Sequence, residues 1–199
     1  MSSGPAGRGD QDHAGRGERS PVRRRRALWL TGVASVALLL VLGVLDRRLQ
    51  QTGGPGIIPF EVAGDLPRAR GILADWGAAG RDTARLSLGL DFAFLGAYGA
   101  FLALAATASR DMALRRGWHR LAAARGLVVA LPVGAAALDA LENICLLMII
   151  GAHGGETAPR LAAIFAIGKF ALLGGTLAYM LAVLVRAATS AHRPSGPAG

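Results

Sequence analysis

Three polar residues interrupt an apolar stretch between Gly126 and Ile150, and their types and spacing suit the chemistry of protons and cations. Asp139, Glu142 and Asn143 follow the spacing i, i+3, i+4, which places them on one face of a helix. Lipid cannot solvate carboxyl groups inside an apolar segment this long, so this face must lie against protein. Such a face can hold a proton, contact a cation or join helices by hydrogen bonds.

A basic partner for these acids lies in the apolar segment 161–185. It is Lys169, the only lysine in the sequence. Counted from the nearer ends of their segments, Glu142 and Lys169 both lie about 12 Å deep, and Asp139 about 17 Å deep. Since an unpaired charge inside a membrane is costly, we predict that Glu142 and Lys169 form an ion pair in the core.

A further acid, Asp91, lies near the start of the apolar segment 86–108. Its depth of about 8 Å is close to the depth of about 11 Å for Asn143, so we expect these two side chains to form a hydrogen bond. Tyr98 follows Asp91 by seven residues on the same helix face and could line the same cavity. The candidate ligand- or ion-binding residues are therefore Asp91, Asp139, Glu142, Asn143, Lys169 and Tyr98.

The predicted cluster carries more acid than base. Asp91, Asp139 and Glu142 against Lys169 would give a formal charge of −2 if every group ionised. Like charges in a medium of low dielectric constant oppose that state. We expect at least one acid, the deep Asp139, to hold its proton.

The composition predicts a membrane protein, because 52% of the residues are hydrophobic and only 18% are charged. We predict an all-α polytopic membrane protein with one domain, 27–186, that forms a four-helix transmembrane bundle. Its spans are expected at about 27–45, 86–108, 126–150 and 161–185. The tails, 1–26 and 187–199, contain no periodic apolar positions and are expected to be disordered. Gly89, Ala93 and Ala97 form a row of small residues on which another helix could pack closely.

The connection between the first two spans contains a short amphipathic pattern. Asp65 suits a helix N-cap and Pro67 the first turn, and apolar residues follow at helical spacing: Leu66, Ala69, Ile72, Leu73 and Trp76. We predict a helix in the first external loop that lies in the membrane interface or caps the bundle, with Trp76 as an interfacial anchor. A solvated loop helix is the alternative, because the apolar stripe is narrow.

The distribution of arginine predicts the topology. Fourteen arginines fall in the two tails and the loop 109–125, and seven lie on the other side of the predicted bundle. Positive charge favours the cytoplasmic side, so both termini are expected in the cytoplasm, with the protein in the bacterial cytoplasmic membrane. The basic run Arg23, Arg24, Arg25 and Arg26 should contact anionic lipid headgroups. This clustering beside apolar spans argues against nucleic-acid binding.

Several short sequences resemble a family of uncharacterised bacterial four-span membrane proteins. They are Phe60-Glu61-Val62-Ala63-Gly64, Trp76-Gly77, Leu86-Ser87-Leu88-Gly89-Leu90-Asp91-Phe92, Tyr98-Gly99, Asp139-Ala140-Leu141-Glu142-Asn143 and Lys169-Phe170. The resemblance covers about 57–185. It implies the four-span architecture and the polar set, and it implies no activity.

Three functions are compatible with the polar set. In the first, an outward-facing cavity binds a cation, a proton or a lipid headgroup in a transport or permeability system, which would require a homo-oligomer because four spans form a thin pathway. In the second, Asp139 or Glu142 acts as a general acid in a membrane enzyme, although no recognised catalytic motif is present. In the third, the protein is a structural or accessory subunit and the Glu142–Lys169 pair only locks the bundle. We predict no cofactor and no metal, because Lys169 already fills the place of a cation.

Overall fold

A computed structural model of the chain describes residues 19–123 and 126–191. Within these ranges the protein is entirely helical, with helices α1 (Arg19–Gln50), α2 (Ile57–Glu61), α3 (Leu66–Arg115), α4 (His119–Ala122), α5 (Leu127–Ile150) and α6 (Thr157–Ala191). Four of them, α1, α3, α5 and α6, are long and apolar enough to cross a membrane. This confirms the predicted all-α class and the number of long apolar helices among the described residues.

The long helices extend beyond the predicted spans. α1 begins at Arg19, so part of the segment assigned to the first tail is helical, and α6 continues to Ala191. Arginine favours helices, and an ion pair between Arg24 in α1 and Asp111 in α3 holds the early turns of α1 against the bundle. The remainder of the two predicted tails, 1–18 and 192–199, lies outside the described residues.

α3 is the central helix of the bundle. It packs against α1, α5 and α6, and α5 and α6 also pack against each other. α1 packs mainly on α3 and leaves large apolar side chains exposed, among them Trp29, Leu30 and Leu40. An exposed surface of this kind suits contact with lipid.

A sharp bend divides α3 at Gly77, where φ is 60° and ψ is −163°. Only glycine adopts this backbone conformation readily, which explains why the bend falls at this residue. The part before the bend, 66–76, begins as predicted: the Asp65 carboxylate accepts a hydrogen bond of 2.7 Å from the backbone N–H of Arg68. The predicted loop helix falls on this part of α3, and the non-helical residue Gly77 separates it from the second long helix.

The apolar stripe of the segment 66–76 faces protein. Trp76 is only 2% exposed, its indole N–H donates a 2.6 Å hydrogen bond to the carbonyl of Pro55, and its ring lies edge-on to Phe60 at 5.0 Å. The prediction that Trp76 anchors the chain in the membrane interface is therefore wrong. The ring is buried because the loop before α2 and α2 itself cover it. We call this end of the bundle, which also holds the α5–α6 turn, the α2 end.

The opposite end, which we call the α4 end, is held by arginine contacts within the predicted basic loop. The guanidinium groups of Arg116 and Arg186 each lie over the Trp118 ring, 5.3 and 5.1 Å from its centroid. Arg110 donates a 3.1 Å hydrogen bond to the carbonyl of Ala122 in α4. These contacts fix α4 against the ends of α3 and α6.

The predicted row of small residues does not form a helix contact in this chain. Gly89 and Ala93 are exposed, and a Cβ atom at Gly89 would meet nothing within 4 Å. The close approach occurs at Gly99, where a Cβ atom would lie 3.1 Å from the Cβ of Ala136 in α5. α3 therefore turns towards α5 the face that carries Asp91 and Tyr98, and the row at Gly89 and Ala93 lies on another face.

Candidate functional site

The ammonium group of Lys169 lies at the centre of three carboxyl groups. Its Nζ is 2.8 Å from Asp139 Oδ1, 2.8 Å from Glu142 Oε2 and 3.5 Å from Glu61 Oε2. All four residues are buried, with relative exposures between 0% for Glu142 and 9% for Glu61. Together with Tyr98, they form what we call the acid–lysine cluster.

The predicted Glu142–Lys169 contact is present, but it is one of three. Asp139, one helical turn earlier on the same face of α5, also reaches Lys169 and makes its clearest hydrogen bond. The sequence argument treated Asp139 as a separate, protonated acid because helix rise placed it deeper. The long lysine side chain spans that difference in depth, so one ammonium group contacts both turns of α5.

Tyr98 joins the cluster from α3. Its hydroxyl donates a 2.8 Å hydrogen bond to Asp139 Oδ2, and its ring packs beside Phe94 at 5.0 Å. Asp139 therefore has partners on both carboxylate oxygens, with Lys169 on Oδ1 and Tyr98 on Oδ2. This bond connects α3, α5 and α6 through three side chains.

Glu61 is the cluster residue that the sequence argument did not identify as a site residue. α2 packs against α3, α5 and α6, and it ends at Glu61, whose carboxylate points into the bundle. A hydrogen bond of 2.6 Å from the backbone N–H of Ile57 to Asp46 fixes the start of α2 on α1. The available signal was an acid within the apolar sequence Ile57-Ile58-Pro59-Phe60-Glu61-Val62-Ala63.

The remaining two candidate residues form a second contact next to the cluster. Asn143 Nδ2 donates a 2.6 Å hydrogen bond to Asp91 Oδ2, as predicted, and Asn143 is 2% exposed. Because Asn143 follows Glu142 directly, this bond holds α3 and α5 together beside Lys169. The structure therefore brings all six predicted residues into two adjoining groups.

Glu61 is the cluster residue that lies outside the long helices, and burial is the largest electrostatic effect on it. Burial raises the pKa of the Glu61 carboxyl group, while the positive charge of Lys169 and a contact with Glu142 act in the opposite direction. Glu142 Oε2 lies within ion-pair distance of Lys169 Nζ. Both carboxylate oxygens of Glu142 are buried, and neither has a hydrogen bond of good geometry. A proton shared between Glu61 and Glu142 would give that carboxyl pair the donor it lacks.

The donor set does not resemble a metal site. Within residues 19–123 and 126–191, no group of three or more His, Cys, Asp or Glu side chains has an arrangement that could hold a metal ion. In the acid–lysine cluster the Nζ atom of Lys169 occupies the position between the carboxylates. The carboxyl groups of this arrangement can hold, share and release protons.

No protein-family model, no curated protein and no solved structure matches this chain. The chemistry of the site must therefore be argued from its own residues and their geometry.

Proposed function

We propose that this chain is a multi-pass protein of the bacterial cytoplasmic membrane in which the acid–lysine cluster binds and releases protons as part of a transport or permeability system. The observation that carries this proposal is that three buried carboxyl groups, Glu61, Asp139 and Glu142, share the single ammonium group of Lys169. The four apolar helices and the excess of arginine at the tails and the α4 end support this location, with both termini in the cytoplasm.

Charge balance is the first argument for protons. Three ionised carboxylates around one ammonium group would leave an excess of two negative charges in a region of low dielectric constant. The free energy of that state falls when one or two of the carboxyl groups take up a proton. A change in the number of bound protons is therefore the transition that this cluster undergoes most easily.

The position of Lys169 is the second argument. A cation or a lipid amine would have to enter where Nζ already contacts two carboxylates at 2.8 Å. Protons need no such space, because they bind to the carboxylate oxygens themselves. Among the ligands expected from the sequence, a proton thus fits the geometry better than a larger cation or a lipid headgroup.

α2 is the element that could couple proton uptake to a change in shape. It is five residues long and covers the cluster from the α2 end, and Glu61 is its direct link to Lys169. Since burial favours the protonated form of Glu61, loss of its proton opposes that burial and weakens the attachment of α2, and uptake of the proton restores it. Transfer of protons across the membrane would further require a continuous path, which a homo-oligomer could provide.

Infrared titration of the full-length protein in lipid nanodiscs tests this proposal. We expect a carboxylic-acid C=O band that changes with pH in the wild type and is reduced in Glu142→Gln. The matched control is Glu156→Gln, which makes the same chemical change at an exposed turn residue and should retain the part of the band that is lost in Glu142→Gln. A band that is absent, or identical in all three proteins, would contradict the proposal.

A structural role is the second candidate, favoured by the contacts that fix the loop. Asp46 accepts from Ile57, and Glu61 contacts Lys169, so the cluster also fastens α2 to the bundle. Proton flux in proteoliposomes separates the two roles. A proton flux that exceeds the flux of protein-free liposomes and disappears in Glu142→Gln favours proton transfer. A flux equal to that of protein-free liposomes, with a stable wild-type protein, favours the structural role.

A further inference from the structure

A second polar site lies at the α2 end of the bundle and does not include the acid–lysine cluster. It is an open cavity of about 270 Å³ between the first turns of α3, the end of α5 and the α5–α6 turn. Three basic side chains line it: Arg70 and Arg81 of α3, and His153 of the turn. None of the described residues that line the cavity is acidic, so every lining side chain is either basic or neutral.

The arginine donors in this cavity are largely unused. Arg81 Nε donates a 3.0 Å hydrogen bond to the carbonyl of Gly77, which orients the guanidinium group and leaves both terminal nitrogens available. The Arg70 side chain makes no hydrogen bond or ion pair with the described part of the chain. The two arginines lie on either side of the bend at Gly77, and both line the cavity.

The other wall of the cavity is apolar. Leu66 and Leu73 of α3 and Ile149 and Ile150 of α5 contribute to it. A site with arginine donors on one side and aliphatic side chains on the other matches an amphiphile with an anionic head. Its place at the ends of helices able to cross a membrane puts it near the level of lipid headgroups.

We propose that this cavity binds the phosphate group of an anionic phospholipid, with Arg70 and Arg81 donating to the phosphate oxygens. Arginine guanidinium groups pair with phosphate through two parallel hydrogen bonds, which favours a phosphate over a simple halide or a neutral lipid. The glycerol and upper acyl carbons of the lipid lie against Leu66 and Ile149. This site is distinct from Arg23, Arg24, Arg25 and Arg26, which lie at the α4 end.

Native mass spectrometry of the full-length protein in detergent tests the site. The probes are phosphatidylglycerol, phosphatidylcholine with the same acyl chains, and inorganic phosphate. We expect phosphatidylglycerol to be retained preferentially, and its affinity to fall by about tenfold or more in Arg70→Gln/Arg81→Gln. Glu142→Gln should bind it normally, because the acid–lysine cluster is not part of this cavity.

The control is Arg68→Gln/Arg160→Gln, which removes the same charge from exposed positions outside the cavity. An equal loss in both double variants would show that net surface charge alone attracts the lipid and would overturn the proposal. Equal retention of both lipids, or binding of inorganic phosphate without preference for phosphatidylglycerol, would also overturn it. If the first double variant does not fold, Arg70→Gln alone, which leaves the bond of Arg81 to Gly77 intact, must show the same direction of loss.

Discussion

Glu61 Oε2 lies 3.5 Å from Lys169 Nζ, although 108 positions separate the two residues in the sequence. The contact joins the short loop helix α2 to α6 and completes a set of three carboxyl groups around one ammonium group. The properties of the site therefore depend on a loop residue as well as on the long helices.

Replacement of Lys169 by Met should destabilise the protein strongly. It leaves Glu61, Asp139 and Glu142 buried without a counter-ion, and breaking a buried ion pair in this way costs about 3–5 kcal/mol. Thermal unfolding in detergent should show a clear decrease in Tm, together with lower yield. An unchanged Tm would mean that the three acids are already neutral or solvated.

A compensating variant separates charge from packing. Replacing only Lys169 and Glu142 would leave Glu61 and Asp139 unpaired, so we specify Lys169→Met with Glu61→Gln, Asp139→Asn and Glu142→Gln. We expect this quadruple variant to recover most of the Tm lost in Lys169→Met, because no buried charge remains. Failure to recover would indicate that the ammonium group is required for packing geometry itself.

The pH dependence of stability should change in Glu61→Gln. Burial raises the pKa of Glu61 above its ordinary value of 4.5, so the folded state favours the protonated form. The contribution of Glu61 to the free energy of unfolding is therefore fully present below pH 4.5. It decreases as the pH rises toward the folded-state pKa. The Tm difference, variant minus wild type, should increase with pH above 4.5. A difference that is constant or decreases with pH would contradict this sign.

Replacement of Tyr98 by Phe should weaken the cluster without changing its shape. The variant removes one buried hydrogen bond to Asp139 Oδ2, and we expect a loss of about 1–3 kcal/mol in the free energy of unfolding. Tyr179→Phe is the control, because that hydroxyl donates to the Leu121 carbonyl at the α4 end. A decrease in Tm that is no larger in Tyr98→Phe than in Tyr179→Phe would contradict a buried hydrogen bond to Asp139.

Gly77→Ala should disturb the bend in α3. A side chain at φ 60° and ψ −163° is strained whatever the surrounding space, at a cost of about 1–3 kcal/mol. Gly89→Ala, at a helical position with open space around the added methyl group, should be neutral or stabilising by up to about 1 kcal/mol. Thermal unfolding of both variants measures the contrast, and equal Tm values would argue against the bend.

The sequence alone predicted the long helices and most of the polar set. Helix formation depends on local features, such as the length of apolar runs, so four long apolar helices could be predicted. The rise per residue is fixed, so the relative depths of Glu142 and Lys169 also followed from counting. The cap at Asp65 was predicted for the same local reason.

Only the tertiary structure decided where the loop runs and which acids reach Lys169. The loop before α3 has no helical or strand periodicity of apolar residues, so its path could not be predicted. The contact of Glu61 with Lys169 and the burial of Trp76 beneath Pro55 and Phe60 depend on that path. Asp139 was assigned to a separate role because depth was counted from the backbone and ignored the reach of the lysine side chain. These contacts depend on the packing of α2 between α3, α5 and α6, which is a property of the whole fold.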